Sequence, residues 1–197
     1  MGKKIPLSFY KDKNVVSLAK KLLGKKLCTD FNGQFTSGII TETEAYAGET
    51  DKASHAYAGR KTERTKIMFE EGGTVYVYLC YGIHHLFNIV TNKKGIPHAI
   101  LIRAIQPVDG IETMMERRKK NKVDKTFSGG PGTVSQALGI HVKYSGMNLL
   151  DDKIWVEETG IKIPEKEIIS GPRIGVDYAG EDAKLPYRFL INSKFKI

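Results

Sequence analysis

The chain has 197 residues, of which 41% are hydrophobic, 27% charged and 9% aromatic. That is enough to bury about 70% of its unfolded surface in one core, which excludes disordered and collagen-like classes and predicts one domain over residues 1–197. Its 31 Lys+Arg against 22 Asp+Glu leave +9 at neutral pH, so a polyanion is the first partner to consider, with eight lysines against the single acid Asp12 in residues 1–26 and a second basic cluster from Arg117 to Lys125.

The cysteines, Cys28 and Cys80, make neither a C-x-x-C unit nor a disulfide framework, and a reducing compartment suits them. No apolar run approaches the ~18 residues of a membrane span, and Met1–Pro6 lacks the apolar core of a signal peptide. A cytoplasmic, nucleoid-associated protein is expected in a bacterium and a nuclear one in a eukaryote, with no membrane partner.

In chain order, Val15, Leu18, Ala19, Leu22 and Leu23 share one helical face that Gly24 ends. Asn32-Gly33 predicts a type I′ turn between strands Lys26–Phe31 and Phe35–Tyr46. A polar loop runs from Gly48 to Arg60, and Thr62–Glu71 reads as a short helix stopped by Gly72-Gly73. Thr74–Tyr81, Leu86–Thr91 and Ala99–Gln106 predict an antiparallel meander. Asp109 with Glu112 resembles a capping box opening a helix, Pro131–Leu138 reads as another helix with Gly139 as its stop, and short strands are placed around Ile154–Val156 and Arg188–Ile191. Uneven alternation of strands and several short helices argues an α+β fold with an antiparallel sheet rather than a doubly wound one.

Some residues do not suit a purely structural role. The turn Tyr81-Gly82-Ile83-His84-His85 is apolar where a solvated hairpin tip should be polar. Either the fold covers it, or it is a wedge that unstacks a duplex step. Tyr76 and Tyr78 share a strand face, serving as core or as a stacking platform for a base, with Tyr81 on the other side. Glu42 and Glu44 end an apolar, Thr-rich strand on a common face, as a solvated edge or as a candidate general base. Arg103 interrupts the apolar run Ala99–Ile105 and needs an anion: one of these glutamates, a substrate phosphate, or both in turn. His55 and the nearby acids lack metal-ligand spacing, so no metal or other cofactor is expected. Gly129-Gly-Pro-Gly132 before a helix is a plain turn or a contact to a DNA phosphate.

Glu42-Thr-Glu-Ala-Tyr46, Ser54-His55 with Gly59-Arg60, Met68-Phe69, Gly73-Thr-Val-Tyr-Val-Tyr-Leu-Cys-Tyr-Gly82, Asn88-Ile89, Leu101-Ile-Arg-Ala104 and Pro172-Arg-Ile-Gly-Val176 occur in that order. Together they closely resemble the alkyladenine (3-methyladenine) DNA glycosylase family, also called methylpurine glycosylases, from about Lys25 to Phe189. The resemblance implies a single mixed domain with a curved antiparallel sheet and a protruding β-hairpin, and a monofunctional hydrolase of base excision repair that turns alkylated or deaminated purines out of duplex DNA and leaves an abasic site. It implies that Glu44 activates water, held with the help of Arg103 and the Ile174 carbonyl. Tyr46, His55 and Tyr78 would wall the flipped base, and Asn88 would form a floor that disfavours the 2-amino group of guanine. Tyr81 would fill the gap in the duplex, flanked by Met68, with Arg60 on a backbone phosphate and Tyr76 also facing DNA. The implied partner is damaged double-stranded DNA, bound by a monomer. Thr133 departs from relatives that often carry Lys there, which puts a phosphate contact at that position in doubt. A non-catalytic nucleic-acid-binding protein and a metal-dependent nuclease are the competing classes; base release separates the first, and activity in EDTA the second.

Overall fold

In the computed structural model, which describes residues 2–196, the chain is a single α+β domain built on one eight-stranded antiparallel sheet curled into a half-barrel. The elements in chain order are α1 (Leu7–Tyr10), α2 (Val15–Leu22), β1 (Lys26–Phe31), β2 (Gln34–Tyr46), β3 (Val75–Cys80), β4 (His84–Thr91), β5 (His98–Asp109), α3 (Ile111–Arg118), α4 (Pro131–Leu138), β6 (Ile154–Glu157), β7 (Ile168–Gly171) and β8 (Arg188–Ile191). The main strand order is β3-β4-β5-β2-β1-β6. The 13-residue β2 pairs with β5 along one side, and on the other with β1 and then, over Glu42–Glu44, with β8.

The two faces of the sheet have different jobs, set by side-chain alternation. Val75, Val77, Phe87, Ile89, Ile100 and Ile102 point into the main core with Leu18 and Leu22 of α2 and Val134, Ala137 and Leu138 of α4. Tyr76, Tyr78, Asn88, Leu101 and Arg103 point the other way, toward a cavity. The polar segment 47–73 folds over this second face, where Ala56, Met68 and Phe69 make a small cluster with Tyr76, Val90 and Ala99.

Three irregularities shift the register where β2 meets β5, one between Ser37 and Gly38 and two beside the glutamates. Ile40 pairs with Ile105, Glu42 with Ala104 and Thr43 with Ile102, so Thr41 and Arg103 are each one residue too many. Arg103, left out of the ladder on the cavity face, lies beside the glutamates of β2.

The predicted meander, the hairpin at Asn32 (φ 58°) and Gly33 (φ 78°), the α2 face, the Pro131 helix and both C-terminal strands are present. Three local readings are corrected. Thr62–Glu71 contains only a 3-10 turn, Lys66–Phe69, because Thr62 and Thr65 spend their hydroxyls on one another and on the neighbouring backbone. The helix after Asp109 begins at Gly110 in the left-handed region without a side-chain cap, since Asp109 instead accepts from the Ser37 hydroxyl at 2.5 Å. β7 was not foreseen; its Ile-Ile-Ser-Gly sequence has no alternation to reveal it.

Candidate active site

A cavity of about 630 Å³ opens on the second face of the sheet. Its inner wall carries Tyr76 and Tyr78 from β3, Asn88 from β4, Leu101 and Arg103 from β5 and Tyr46 at the end of β2; His55, Met68 and the segment from Ile174 to Tyr178 complete it. The β3–β4 hairpin rises beside the mouth.

Glu44 lies just beneath this lining and is 0% exposed. Its carboxylate is fully engaged: Oε2 accepts from the Tyr46 hydroxyl at 2.8 Å, Oε1 accepts from the Ile174 backbone N–H at 2.8 Å, and an Arg103 terminal nitrogen stands 3.4 Å from Oε2. Glu42 sits alongside, accepting from Arg103 Nε at 3.1 Å and Arg188 Nε at 2.5 Å. Arg103 therefore spans both glutamates, which settles its buried charge without an outside anion. The sequence left Glu42 as an equal candidate; with two guanidiniums on it, Glu42 serves to hold Arg103.

The aromatic wall is mutually braced. His55 Nδ1 lies 3.0 Å from the Tyr76 hydroxyl, and its ring meets Tyr78 edge-on at 4.6 Å. Tyr76 and Tyr78 stack at 5.6 Å. Burial, with Arg64 and Arg60 nearby, pushes His55 down to about 4, so the ring is neutral at ordinary pH. Burial also pushes the Tyr76 phenol up to about 12, and that of Tyr46 well above its usual value with Glu44 adding to the effect. Asn88 donates its amide to the carbonyls of Tyr76 and Leu86, at 3.2 and 3.1 Å, which fixes it on the cavity wall.

Tyr81 is 91% exposed at the hairpin tip. It has a left-handed backbone (φ 52°), followed by Gly82 (φ 72°), and the turn closes with Ile83 N–H donating to the Cys80 carbonyl. Nothing in the fold covers this ring, so that alternative is removed. Met68 is buried in the small cluster with Phe69 and Tyr76 and, like Tyr81, lines the cavity. Tyr76 is also buried, its hydroxyl taken by His55, so it backs the wall and presents no face to a duplex. Ile174 also reaches Glu44 directly, through its backbone N–H, a contact the sequence does not announce. Thr133 lies at the cavity edge with its hydroxyl donating to the Gly130 carbonyl and accepting from the Gly130 N–H. Arg60 is exposed and, among the described residues, has no ion-pair partner.

A model of the methylpurine-DNA glycosylase (MPG) family matches residues 8–195. The chain belongs to this family. It is 47% identical over 191 residues to a protein of Chlamydia felis (strain Fe/C-56), covering 96% of this chain and 97% of the other. A protein of Bacillus thuringiensis (strain Al Hakam) is 46% identical over 197 residues, with 93% of each covered. Both bear the name "Putative 3-methyladenine DNA glycosylase". As a methylpurine-DNA glycosylase family member the chain is a DNA glycosylase, a hydrolase whose substrate is damaged DNA.

Much of the charge clustered in the sequence is paired within the fold. Of the eight lysines in residues 1–26, six pair with acids: Lys4 with Asp152, Lys11 with Glu71, Lys20 with Glu165, Lys21 with Asp12, Lys25 with Glu158 and Lys26 with Glu157. Arg117 and Arg118 are spent on Thr36, Gln34, Gln136 and the carbonyls of Ala137 and Phe127. Arg60 and Arg64 stand instead near His55, on the cavity's own loop.

Proposed function

We propose that the protein excises 3-methyladenine and related alkylated or deaminated purines from duplex DNA, with the damaged nucleotide turned out of the helix into the aromatic cavity. The observation that carries this is the Glu44 carboxylate, buried behind Tyr46, Ile174 and Arg103 at the wall of a cavity beside an exposed tyrosine tip. The anomeric carbon cannot be reached inside a duplex, and turning the nucleotide out costs a few kcal/mol. Stacking on an aromatic ring contributes about 1 to 3 kcal/mol per base, so Tyr46 and Tyr78 on the base with Tyr81 in the vacated stack offset extrusion. A purine alkylated at a ring nitrogen is cationic, which the tyrosine faces favour by about 0.5 to 2 kcal/mol. The same charge weakens the glycosidic bond.

As that bond breaks, the sugar becomes a cation that the Glu44 carboxylate stabilises while it takes a proton from the attacking water. Arg103 and the Ile174 carbonyl, which accepts no hydrogen bond among the described residues, are available to that water. The residues lining the cavity include no lysine, which supports direct hydrolysis to an abasic site over a Schiff base. Release of free bases from a panel of lesion duplexes in excess EDTA tests the reading. No 3-methyladenine release, a requirement for divalent metal, or a covalent adduct trapped by borohydride would each remove the corresponding part of it.

A further inference from the structure

Arg173 and Asp51 are charged, do not line the cavity, and are 0% and 2% exposed at their side chains. Their contact is a two-pronged fork: one Arg173 terminal nitrogen donates to Asp51 Oδ2 at 2.5 Å, the other to Oδ1 at 2.8 Å. The same two nitrogens donate to the Ala45 carbonyl at 2.9 Å and the Asp182 carbonyl at 3.0 Å. Asp51 also accepts from the backbone N–H groups of Ala47 and Ala53, both at 3.0 Å. One ion pair thus ties the end of β2, the loop leading to His55, and the segment after Pro172.

Two elements of the Glu44 environment hang from it. The Arg173 guanidinium lies 4.8 Å from the centre of the Tyr46 ring, whose hydroxyl donates to Glu44, with Tyr187 5.3 Å from the same cation. Ile174, the next residue, supplies the backbone N–H on the other carboxylate oxygen. The side chain of Ile174 is half exposed, so packing alone does not hold that amide in place. Buried ion pairs give little net stability compared with apolar packing of the same volume; what a planar fork adds is direction.

We propose that Asp51 and Arg173 are positioning residues for base excision, fixing the Tyr46 ring and the Ile174 amide so that both donors meet the Glu44 carboxylate in one orientation. Arg103, braced by Glu42, stands 3.4 Å from the same Oε2 that Tyr46 donates to. The proposal rests on the reading of Glu44 given above.

Arg173→Lys keeps the charge and loses the fork, and Asp51→Asn keeps the shape and an acceptor. Binding stoichiometry on a lesion duplex counts folded sites, whereas the single-turnover rate constant at saturating enzyme reads their geometry. Each variant, and the double variant, is expected to lose about tenfold or more in that rate constant, while the Kd for the lesion duplex stays within about threefold. The double variant is expected to lose no more than the singles, because the two act as one unit. A merely structural pair would lower melting temperature and stoichiometry and leave the folded fraction excising at the wild-type rate, which would overturn the proposal, as would a loss confined to Kd. Should Arg173→Lys fail to fold, Asp51→Asn carries the same comparison. Glu44→Gln measured alongside separates the two claims. A fast Glu44→Gln enzyme sinks the Glu44 reading, and a slow one beside normal Asp51→Asn and Arg173→Lys enzymes sinks only the role of the pair.

Discussion

The Tyr46 hydroxyl donates to Glu44 Oε2 across 2.8 Å, so a ring that walls the cavity is also a ligand of the carboxylate beneath it. On the proposed reading, this bond couples base recognition to hydrolysis through two residues of one strand. Tyr46→Phe keeps the ring and removes the bond. A hydrogen bond to a charged group contributes about 1.5 to 3 kcal/mol, so excision is expected to slow by about tenfold to a hundredfold. Lesion binding, carried by the ring, should hardly move; equal loss in both would place the hydroxyl on the base rather than on Glu44.

Glu44→Gln is isosteric and removes the charge. The expected result is retained lesion binding with excision at least about a hundredfold slower, equivalent to about 2.7 kcal/mol of lost transition-state stabilisation. Single-turnover release read beside a gel-shift titration checks both halves.

Much of this site was legible in the sequence, and the reasons differ by residue. Two glutamates closing an apolar strand, and an arginine inside another, conflict with local burial, so they stand out without coordinates. Strand alternation placed Tyr76 and Tyr78 together. The bulges at Thr41 and Arg103 were hidden, because a register slip belongs to a pair of strands and to neither sequence alone. Asp51 and Arg173 are 122 residues apart, and nothing in either local sequence points to the other. The lysine-rich N-terminus misled for the same reason, since its acidic partners lie as far away as Glu165. The burial of Met68 and Tyr76 was hidden because a motif gives an order of residues but no depth.

Tyr81 should be separable from folding. It is exposed and holds a positive φ that favours glycine, so Tyr81→Ala is expected to change stability by less than about 0.5 kcal/mol. Losing the ring from the vacated stack should weaken capture of a paired lesion by about 1 to 3 kcal/mol. Excision from single-stranded DNA, where no vacancy is left, should be unaffected. A similar loss on both substrates would contradict a plugging role.

His55 sets a pH dependence of stability. Its folded pKa, held down to about 4 chiefly by burial, lies below the unfolded value near 6.5. Above about pH 6.5 both states are neutral and the group contributes nothing. As pH falls from there to about 4 the unfolded chain takes up a proton that the folded one refuses, so stability is lost across that window. Urea melts at pH 7 and pH 4.5 should show this loss, and His55→Gln should reduce it. His98 and His141 are also shifted downward and add to the same trend, so the difference between the two proteins is the measure of His55.

The Arg117 region and Arg60 make a contrasting pair of basic sites. Arg117 donates to the Thr36 hydroxyl and the Ala137 carbonyl at 3.2 Å and to the Gln34 amide oxygen at 3.2 Å, joining the C-terminal end of α4 to β2. Its removal leaves these acceptors without their donor, and Arg117→Ala is expected to cost about 1 to 3 kcal/mol of stability. Arg60 is solvent-facing beside the cavity loop, so Arg60→Ala should leave stability nearly unchanged. On DNA the order should reverse. Each phosphate contact contributes about 0.9 to the slope of log affinity against log salt concentration, so Arg60→Ala should flatten that slope by about this amount and Arg117→Ala should leave it intact. If Arg117→Ala flattened the slope and Arg60→Ala did not, the duplex would lie across α3 and α4 rather than over the aromatic cavity.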